Sequence, residues 1–252
     1  MANERLRGAT TAKGKSLADL AAAVDVDPKT VERWISQDRM PHRATRAEVA
    51  RYLNVKETYL WPAVADDPRA RSASRAELVE FYPSRSSVPV ELWVSLVEDA
   101  RESFDMLAYA GLFLPEHVEL VPRLIRKARE GVRVRVMLGD PDSLAVALRG
   151  EEERLGEGMA HRVRLSLRYF DEALGVSGFE LRVHATTLYA SLFRVDNTLL
   201  VNTHVFGAPA AQSPVLHLQR VPGGRVFDHY LASLDRVWTE AKSVDHARSG
   251  RQ

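Results

Sequence analysis

The sequence contains no cysteine, and this absence excludes several kinds of chemistry at once. A chain without thiols has no disulfide framework, no thiolate ligands for zinc and no catalytic cysteine. The first residues also lack the apolar stretch of a secretory signal, and no apolar run approaches the roughly 20 residues that span a membrane. We therefore expect a cytoplasmic protein with no membrane partner, no metal and no cofactor.

Strong net charge is also missing, since 35 basic and 34 acidic side chains give a formal charge of +1. The distribution is less even, because residues 1–75 carry 14 lysines and arginines against 10 acidic residues. The length of 252 residues leaves room for two domains of ordinary size. A mildly basic first domain on a near-neutral body is compatible with binding of nucleic acid.

Residues 16–37 have the pattern of two short helices joined by a tight connection. Ser16, with Asp19 three residues later, can cap the first helix. Asp27 followed by Pro28 is a typical start for the second helix. Val31, Trp34 and Ile35 follow at helical spacing and are expected to face a core. The pattern predicts an all-α first domain with a helix-turn-helix.

The outward face of the second helix is polar near its N-terminal end, where a helix-turn-helix reaches base edges. We expect Lys29, Thr30 and Arg33 to contact double-stranded DNA there. The next segment contains Arg39, His42 and Arg43, which are expected to contact phosphates. A protein that binds DNA in this way would be nucleoid-associated. The alternative is that the two helices belong to a small bundle that never binds DNA.

The residues that follow extend the pattern. Met40-Pro41 stops the second helix, a further helix ends in Leu53-Asn54-Val55, and Leu60-Trp61-Pro62 closes the unit. This order of parts resembles the Cro/repressor-like (XRE) class of bacterial regulators, and we place the domain at residues 1–64. The composition then becomes polar, which predicts a linker with one short helix at residues 65–87, the helix lying at 75–82.

Residues 88–245 alternate between helical and strand-like segments. A strand is expected at 106–114, another in the alternating run Gly131 to Leu138, and four closely spaced strands at 179–184, 188–195, 199–206 and 215–221. The last four are joined too tightly for helical crossovers, so the expected fold is α/β with a mixed sheet.

The order of these elements is similar to one repeat of the phospholipase D superfamily. That family carries a His-x-Lys-x4-Asp motif, then Gly-Ser and an Asn. The matching positions here hold Tyr189, Ser191, Asp196, Thr203-His204 and Phe206, so only the Asp is kept.

The differences from the family motif determine whether catalysis is expected. The family reaction needs an imidazole nucleophile and a cation that holds the phosphoryl group. Tyr189, with an ordinary phenol pKa near 10, is a poor substitute. We therefore expect a catalytically inactive, degenerate phospholipase D-like domain. The alternative is a relocated centre that uses His184 or His204.

A catalytically inactive domain that follows a DNA-binding domain in the chain suggests a sensor, whose pocket would bind a small polar ligand. The residues expected to bind it are His184, Tyr189, Ser191, Asp196, Asn202 and His204. The alternative is that the sheet serves only as an oligomerisation platform.

Both resemblances imply a homodimer, since single-repeat phospholipase D-like domains pair and repressor-like regulators bind two half-sites. The sequence therefore predicts a transcriptional regulator. Two other functions stay open: a phosphodiesterase or nuclease that its first domain targets to DNA, and a protein-interaction adaptor in a defence or antitoxin system.

Overall fold

The computed structural model describes residues 3–64 and 68–244. The chain divides into two compact units, Met1–Arg71 and Ser72–Gln252. No helix among the described residues is both long and apolar enough to cross a membrane.

The described part of the first unit contains five complete α-helices around one core. They are α1 (Glu4–Ala12), α2 (Leu17–Ala23), α3 (Pro28–Ser36), α4 (Arg43–Leu53) and α5 (Glu57–Leu60). The largest fully buried side chains of this core are those of Leu6, Leu20, Leu53 and Leu60. Trp34 is 4% exposed, as expected for a core residue.

Local capping explains where α2 and α3 begin. Ser16 accepts a hydrogen bond from the backbone N–H of Asp19, whose carboxylate accepts one from the N–H of Ser16. Asp27 accepts from the N–H of Lys29, and Pro28 occupies the first turn of α3. The residues between the two helices include Asp25 in the left-handed conformation. These caps match the sequence prediction.

The next helix, α6, spans Pro68–Ala76 and crosses the boundary between the two units in the chain. The second unit continues with β1 (Leu78–Tyr82), α7 (Val90–Asp99), β2 (Ser103–Leu107), α8 (Phe113–Val118), α9 (Leu120–Arg129) and β3 (Arg133–Gly139). Then follow α10 (Leu144–Glu152), α11 (Gly158–Phe170), β4 (Phe179–His184), β5 (Ala190–Val195), β6 (Thr198–Thr203), β7 (Val215–Gln219), α12 (Val226–Glu240) and β8 (Lys242–Ser243).

The strands form one mixed sheet in the order β1-β7-β6-β5-β2-β3-β4-β8. The central strands β2, β3 and β4 are parallel, and β5 to β7 are antiparallel neighbours. The α/β architecture with a mixed sheet is therefore as the sequence predicts.

The segment 65–87 differs from the predicted linker with a helix at 75–82. Residues 65–67 lie outside the described residues, α6 ends at Ala76, and Leu78–Tyr82 is a strand that pairs with β7. Glu77 is buried and accepts hydrogen bonds from the backbone N–H groups of Arg225, Val226 and Phe227, at the start of α12. The carboxylate thus caps a distant helix, which sequence spacing alone does not reveal.

The second unit also begins earlier than the predicted boundary at residue 88, because β1 belongs to its sheet. At its other end, the predicted last residue, 245, lies outside the described residues. The expected strand at 106–114 is shorter as well: β2 ends at Leu107, and Phe113 already begins α8.

Candidate functional site

A cavity of about 400 Å³ lies in the second unit. One wall is the segment that follows β2, and it includes Tyr109 and Gly111. Gly111 has a φ of +62°, and a Cβ there would collide with the side chain of Met106. The other lining groups that matter chemically are Arg85, Glu116, Glu153, Arg162, Ser191 and His204.

Ser191 and His204 form a hydrogen-bonded pair on the cavity wall. The Ser191 Oγ lies 3.1 Å from His204 Nε2, and His204 Nδ1 lies 3.1 Å from the carbonyl oxygen of Leu188. A carbonyl only accepts, so Nδ1 carries the proton and Nε2 accepts the hydroxyl proton of Ser191. The ring of Tyr109 stacks on the imidazole at a centroid distance of 5.8 Å.

Burial lowers the pKa of His204 to about 4, and the positive charge of Arg149 contributes further. Burial also raises the pKa of the Tyr109 phenol, whose oxygen accepts a hydrogen bond from the Leu188 N–H. Both aromatic rings are therefore neutral at physiological pH.

The low pKa of His204 predicts a loss of stability in acid. The unfolded imidazole takes a proton near its ordinary pKa of 6.5, whereas the folded one stays neutral down to about 4. Between these values the unfolded state binds more protons than the folded state. The free energy of unfolding therefore decreases as the pH is lowered, by at most about 3 kcal/mol from this group.

Urea unfolding of the wild type and His204→Gln over this pH range measures the contribution. We expect the destabilisation caused by the substitution to be largest above pH 6.5 and to shrink toward pH 4. Parallel pH curves for the two proteins would contradict the assignment of a buried neutral imidazole.

Arginine side chains supply the positive charge around the cavity. The Arg85 guanidinium lies 4.0 Å from the ring centroid of Phe113. Burial lowers the pKa of Arg85 to about 10, although Glu153 partly opposes this shift. Arg162 is exposed. Arg149, 3% exposed, is bound to Glu152 and Glu153 at 3.0 and 2.6 Å and donates to the carbonyl of Ala208.

Two of the six predicted ligand residues, Ser191 and His204, line the cavity. Tyr189 is not among the lining residues, and its side chain is 84% exposed. His184 is buried, with Nε2 directed at the carbonyl of Ala108 and Nδ1 accepting from the N–H of Thr186. These two residues therefore do not line this cavity, and their predicted ligand role stays a prediction.

Asp196 and Asn202 have structural roles instead. Burial would raise the pKa of Asp196, but backbone N–H groups of Ser103, Arg101 and Glu102 donate to its carboxylate and lower the pKa on balance. Asn202 is fully buried, and its amide donates to the carbonyls of Ser213 and Pro214. Neither residue lines the cavity, and both form hydrogen bonds with backbone groups.

The residues that sequence reasoning missed are Arg85, Glu116, Glu153 and Arg162. Arg85 fell within the predicted linker, Glu116 and Arg162 lie on α8 and α11, and Glu153 directly follows α10. Their convergence depends on how α8, α10 and α11 pack on the sheet, for which local spacing gives no information.

The predicted DNA contacts occupy one part of the first unit. Lys29 and Arg33 are exposed on α3, and Thr30 is half-buried on the same helix. Val31, Trp34 and Ile35 of this helix are buried. Arg39 and His42 are exposed in the segment before α4, whereas the side chain of Arg43 lies outside the described part.

Among the described residues, no cluster of three or more His, Asp or Glu side chains could hold a metal ion.

Comparisons with known proteins give likenesses to a number of solved structures. Nuc, a phospholipase D family member from Salmonella typhimurium, is 17% identical with a TM-score of 0.40, and the match covers 62% of this chain and 90% of Nuc. NucT from Helicobacter pylori is 9% identical with a TM-score of 0.42, covering 66% of this chain and 98% of NucT.

The archaeal chromatin protein TrmBL2, described as having a novel mode of DNA binding, is 15% identical with a TM-score of 0.42. That match covers 87% of this chain and 72% of TrmBL2. No protein-family model matches this chain, and no curated protein matches it.

Proposed function

We propose that this protein is a DNA-binding transcriptional regulator of the helix-turn-helix type, whose second unit dimerises and senses a small ligand. The observation that carries the proposal is the division of α3 into two faces. Val31, Trp34 and Ile35 anchor the helix in the core, and Lys29 and Arg33 extend from it into solvent. A rigid helix with exposed cations near its first turns suits contact with a duplex.

The two exposed cations are also free to bind an external anion. Within the described ranges, neither Lys29 nor Arg33 forms an ion pair. Arg39 and His42 add positive or protonatable groups in the segment after α3. Contacts of this kind to phosphates position a protein on DNA, and contacts to base edges give it sequence preference.

The proposed DNA binding is tested by titrating the full chain with a duplex over a range of salt concentrations. Neutralisation of several phosphates releases counterions, so we expect affinity to fall steeply with salt, with a slope of about −0.9 for each phosphate contacted. The charge-reversed variant Lys29→Glu should bind weakly and show a shallower slope. Absence of binding at low salt would contradict the proposal.

For the second unit we propose a ligand-sensing and dimerising role. A cavity with hydrogen-bonding walls supports ligand binding. Tyr189 and Phe206, each 84% exposed, lie on neighbouring segments, since the N–H of His204 donates to the carbonyl of Tyr189. Large exposed aromatics of this kind favour pairing of two copies. Ligand occupancy would then alter DNA affinity, and DNA would alter ligand affinity by the same factor.

A hydrolytic function is the second candidate, because a serine hydroxyl hydrogen-bonded to an imidazole lines the cavity. The low pKa of His204, about 4, opposes it. An efficient general base has a pKa near the working pH, so this imidazole would take the serine proton poorly. We therefore favour the regulator over the enzyme.

A further inference from the structure

The Arg85 side chain is half-buried and lines the cavity, and its guanidinium has no paired anion among the described residues. Its described contact is with the ring of Phe113, at 4.0 Å. Within residues 3–64 and 68–244, no carboxylate or carbonyl forms an ion pair or hydrogen bond with this guanidinium. Arg85 is held in place by its backbone, since its N–H donates to the carbonyl of Ser213 and its carbonyl accepts from Val88.

The neighbouring carboxylates do not form an ion pair with Arg85. Glu153 is the carboxylate whose charge acts on Arg85. Its side chain, 5% exposed, is already bonded to Arg149 at 2.6 Å. Glu152, the other partner of Arg149, is bonded to it at 3.0 Å. Glu116 is exposed and has water available. Arg85 thus has no directly bonded counter-ion among the described residues.

A second cation lies on the same cavity. Arg162, on α11, lines it together with Arg85 and is close enough to lower the pKa of Arg85. Like charges are brought together at a cost, which an anion between them relieves. Guanidinium groups are well suited to this because each presents a planar fork of N–H donors that matches carboxylate and phosphate oxygens.

We infer that the cavity binds the anionic group of a small ligand, a carboxylate or a phosphate, through Arg85 and Arg162. The inference rests on the proposed sensing function and deepens it by naming the class of ligand. The hydroxyl of Ser191 gives its proton to His204, so the two arginines carry the recognition of the anion.

The charge balance also limits the ligand. The cluster of Arg149 with Glu152 and Glu153 has one net negative charge, and Glu116 adds another. Counted with Arg85 and Arg162 the group is neutral overall, so these carboxylates would repel a densely charged polyphosphate, although no described carboxylate is bonded to either of the two arginines. The cavity therefore suits a single anionic group on a molecule that fits about 400 Å³.

Isothermal titration calorimetry of the full chain with inorganic phosphate, and separately with acetate, tests the inference. We expect saturable binding of at least one of the two anions, with one anion for each chain. Preference for phosphate identifies a phosphorylated ligand, and preference for acetate identifies a carboxylic acid. Lack of binding of both anions at millimolar concentration would overturn the inference.

Matched variants locate the site. Arg85→Gln should weaken anion binding about tenfold or more, since a charged hydrogen-bond donor is lost. Arg162→Gln is an exposed change that does not threaten folding, and it should also weaken binding. Arg101→Gln removes the same charge from an exposed position outside the cavity lining and should leave binding unchanged. Equal affinity in all four proteins would place the anion elsewhere and contradict the inference.

The same variants separate this inference from the proposed regulator. Arg85→Gln should bind duplex DNA like the wild type when no anion is added. If DNA binding persists but no anion binds, the ligand class is wrong and the regulator stands. If anions bind as expected but DNA does not, the regulator is wrong and the anion site stands.

Discussion

Asp105→Asn is expected to lower the free energy of unfolding of the second unit by about 3–5 kcal/mol, because it leaves buried cations without their counter-charge. The Asp105 side chain is fully buried on β2 and binds Arg135 at 2.5 Å and Arg194 at 2.9 Å, with Arg133 at 3.5 Å. Burial alone would lower the pKa of Arg135, but bonds to Asp105 and Asp235 raise it on balance. A guanidinium does not lose its proton in a protein, so Arg135 stays charged when Asp105 is neutralised.

Asp235→Asn is the matched control for this prediction. Asp235 binds the same guanidinium at 2.9 Å, but its side chain is 52% exposed. The same chemical change there should cost less than about 1 kcal/mol, as for other exposed ion pairs. Urea unfolding of both variants measures the two free energies. The slope of the free energy against urea concentration should be the same in both, which shows that unfolding exposes the same surface. Similar destabilisation by the two substitutions would contradict this account of the buried network.

Arg33→Ala is expected to remove most of the preference for an operator over random DNA. A bidentate arginine–guanine contact contributes roughly 1–3 kcal/mol of discrimination, which is about 5- to 150-fold in affinity. Arg33 is exposed on α3 and has no ion pair with any described residue, so the fold should tolerate its loss. Lys29→Ala, in contrast, should weaken binding to all sequences by a similar factor, as expected for a phosphate contact.

Arg51→Ala is the control, since Arg51 is an exposed arginine on α4 of the same unit. It removes the same charge from a different helix and should leave sequence preference intact. Fluorescence anisotropy with an operator duplex and a scrambled duplex gives both affinities. If Arg33→Ala and Arg51→Ala lower both affinities equally, Arg33 contributes only charge and does not recognise bases.

The first unit could be predicted from the sequence because its helices are defined by local chemistry. Ser16, Asp27 and Pro28 define the two helix starts within a few residues. The apolar spacing of Val31, Trp34 and Ile35 identifies the buried face without any long-range information. The use of this unit as a DNA-binding domain remains a proposal.

The second unit was predictable in class but less so in detail. The alternation of valine and arginine predicts one polar face for β3, yet Arg135 is only 7% exposed. The reason is the parallel register, which pairs Arg135 with Asp105 of β2, 30 residues earlier in the chain. A charge that is satisfied by so distant a partner cannot be distinguished in sequence from a solvated one.

The candidate site was the least predictable part. Polar residues close to one another along β5 and β6 were expected to share a pocket, but direct pairing across the two strands does not ensure this, since Ser191 lies opposite Asn202 and only Ser191 lines the cavity. Ser191 reaches the cavity, whereas Asn202 and Asp196 bond to backbone groups elsewhere. Arg85 reaches it from a segment that has no catalytic or binding motif.

The most direct test of the account is recovery of fragmented host genomic DNA by the full protein under near-physiological salt. We predict enrichment of a small number of sites with two-fold symmetry, because a homodimer with two copies of α3 binds two half-sites about one helical turn apart or a multiple of it. Recovery of fragments without a shared or symmetric sequence would contradict the central claim of a sequence-specific dimeric regulator.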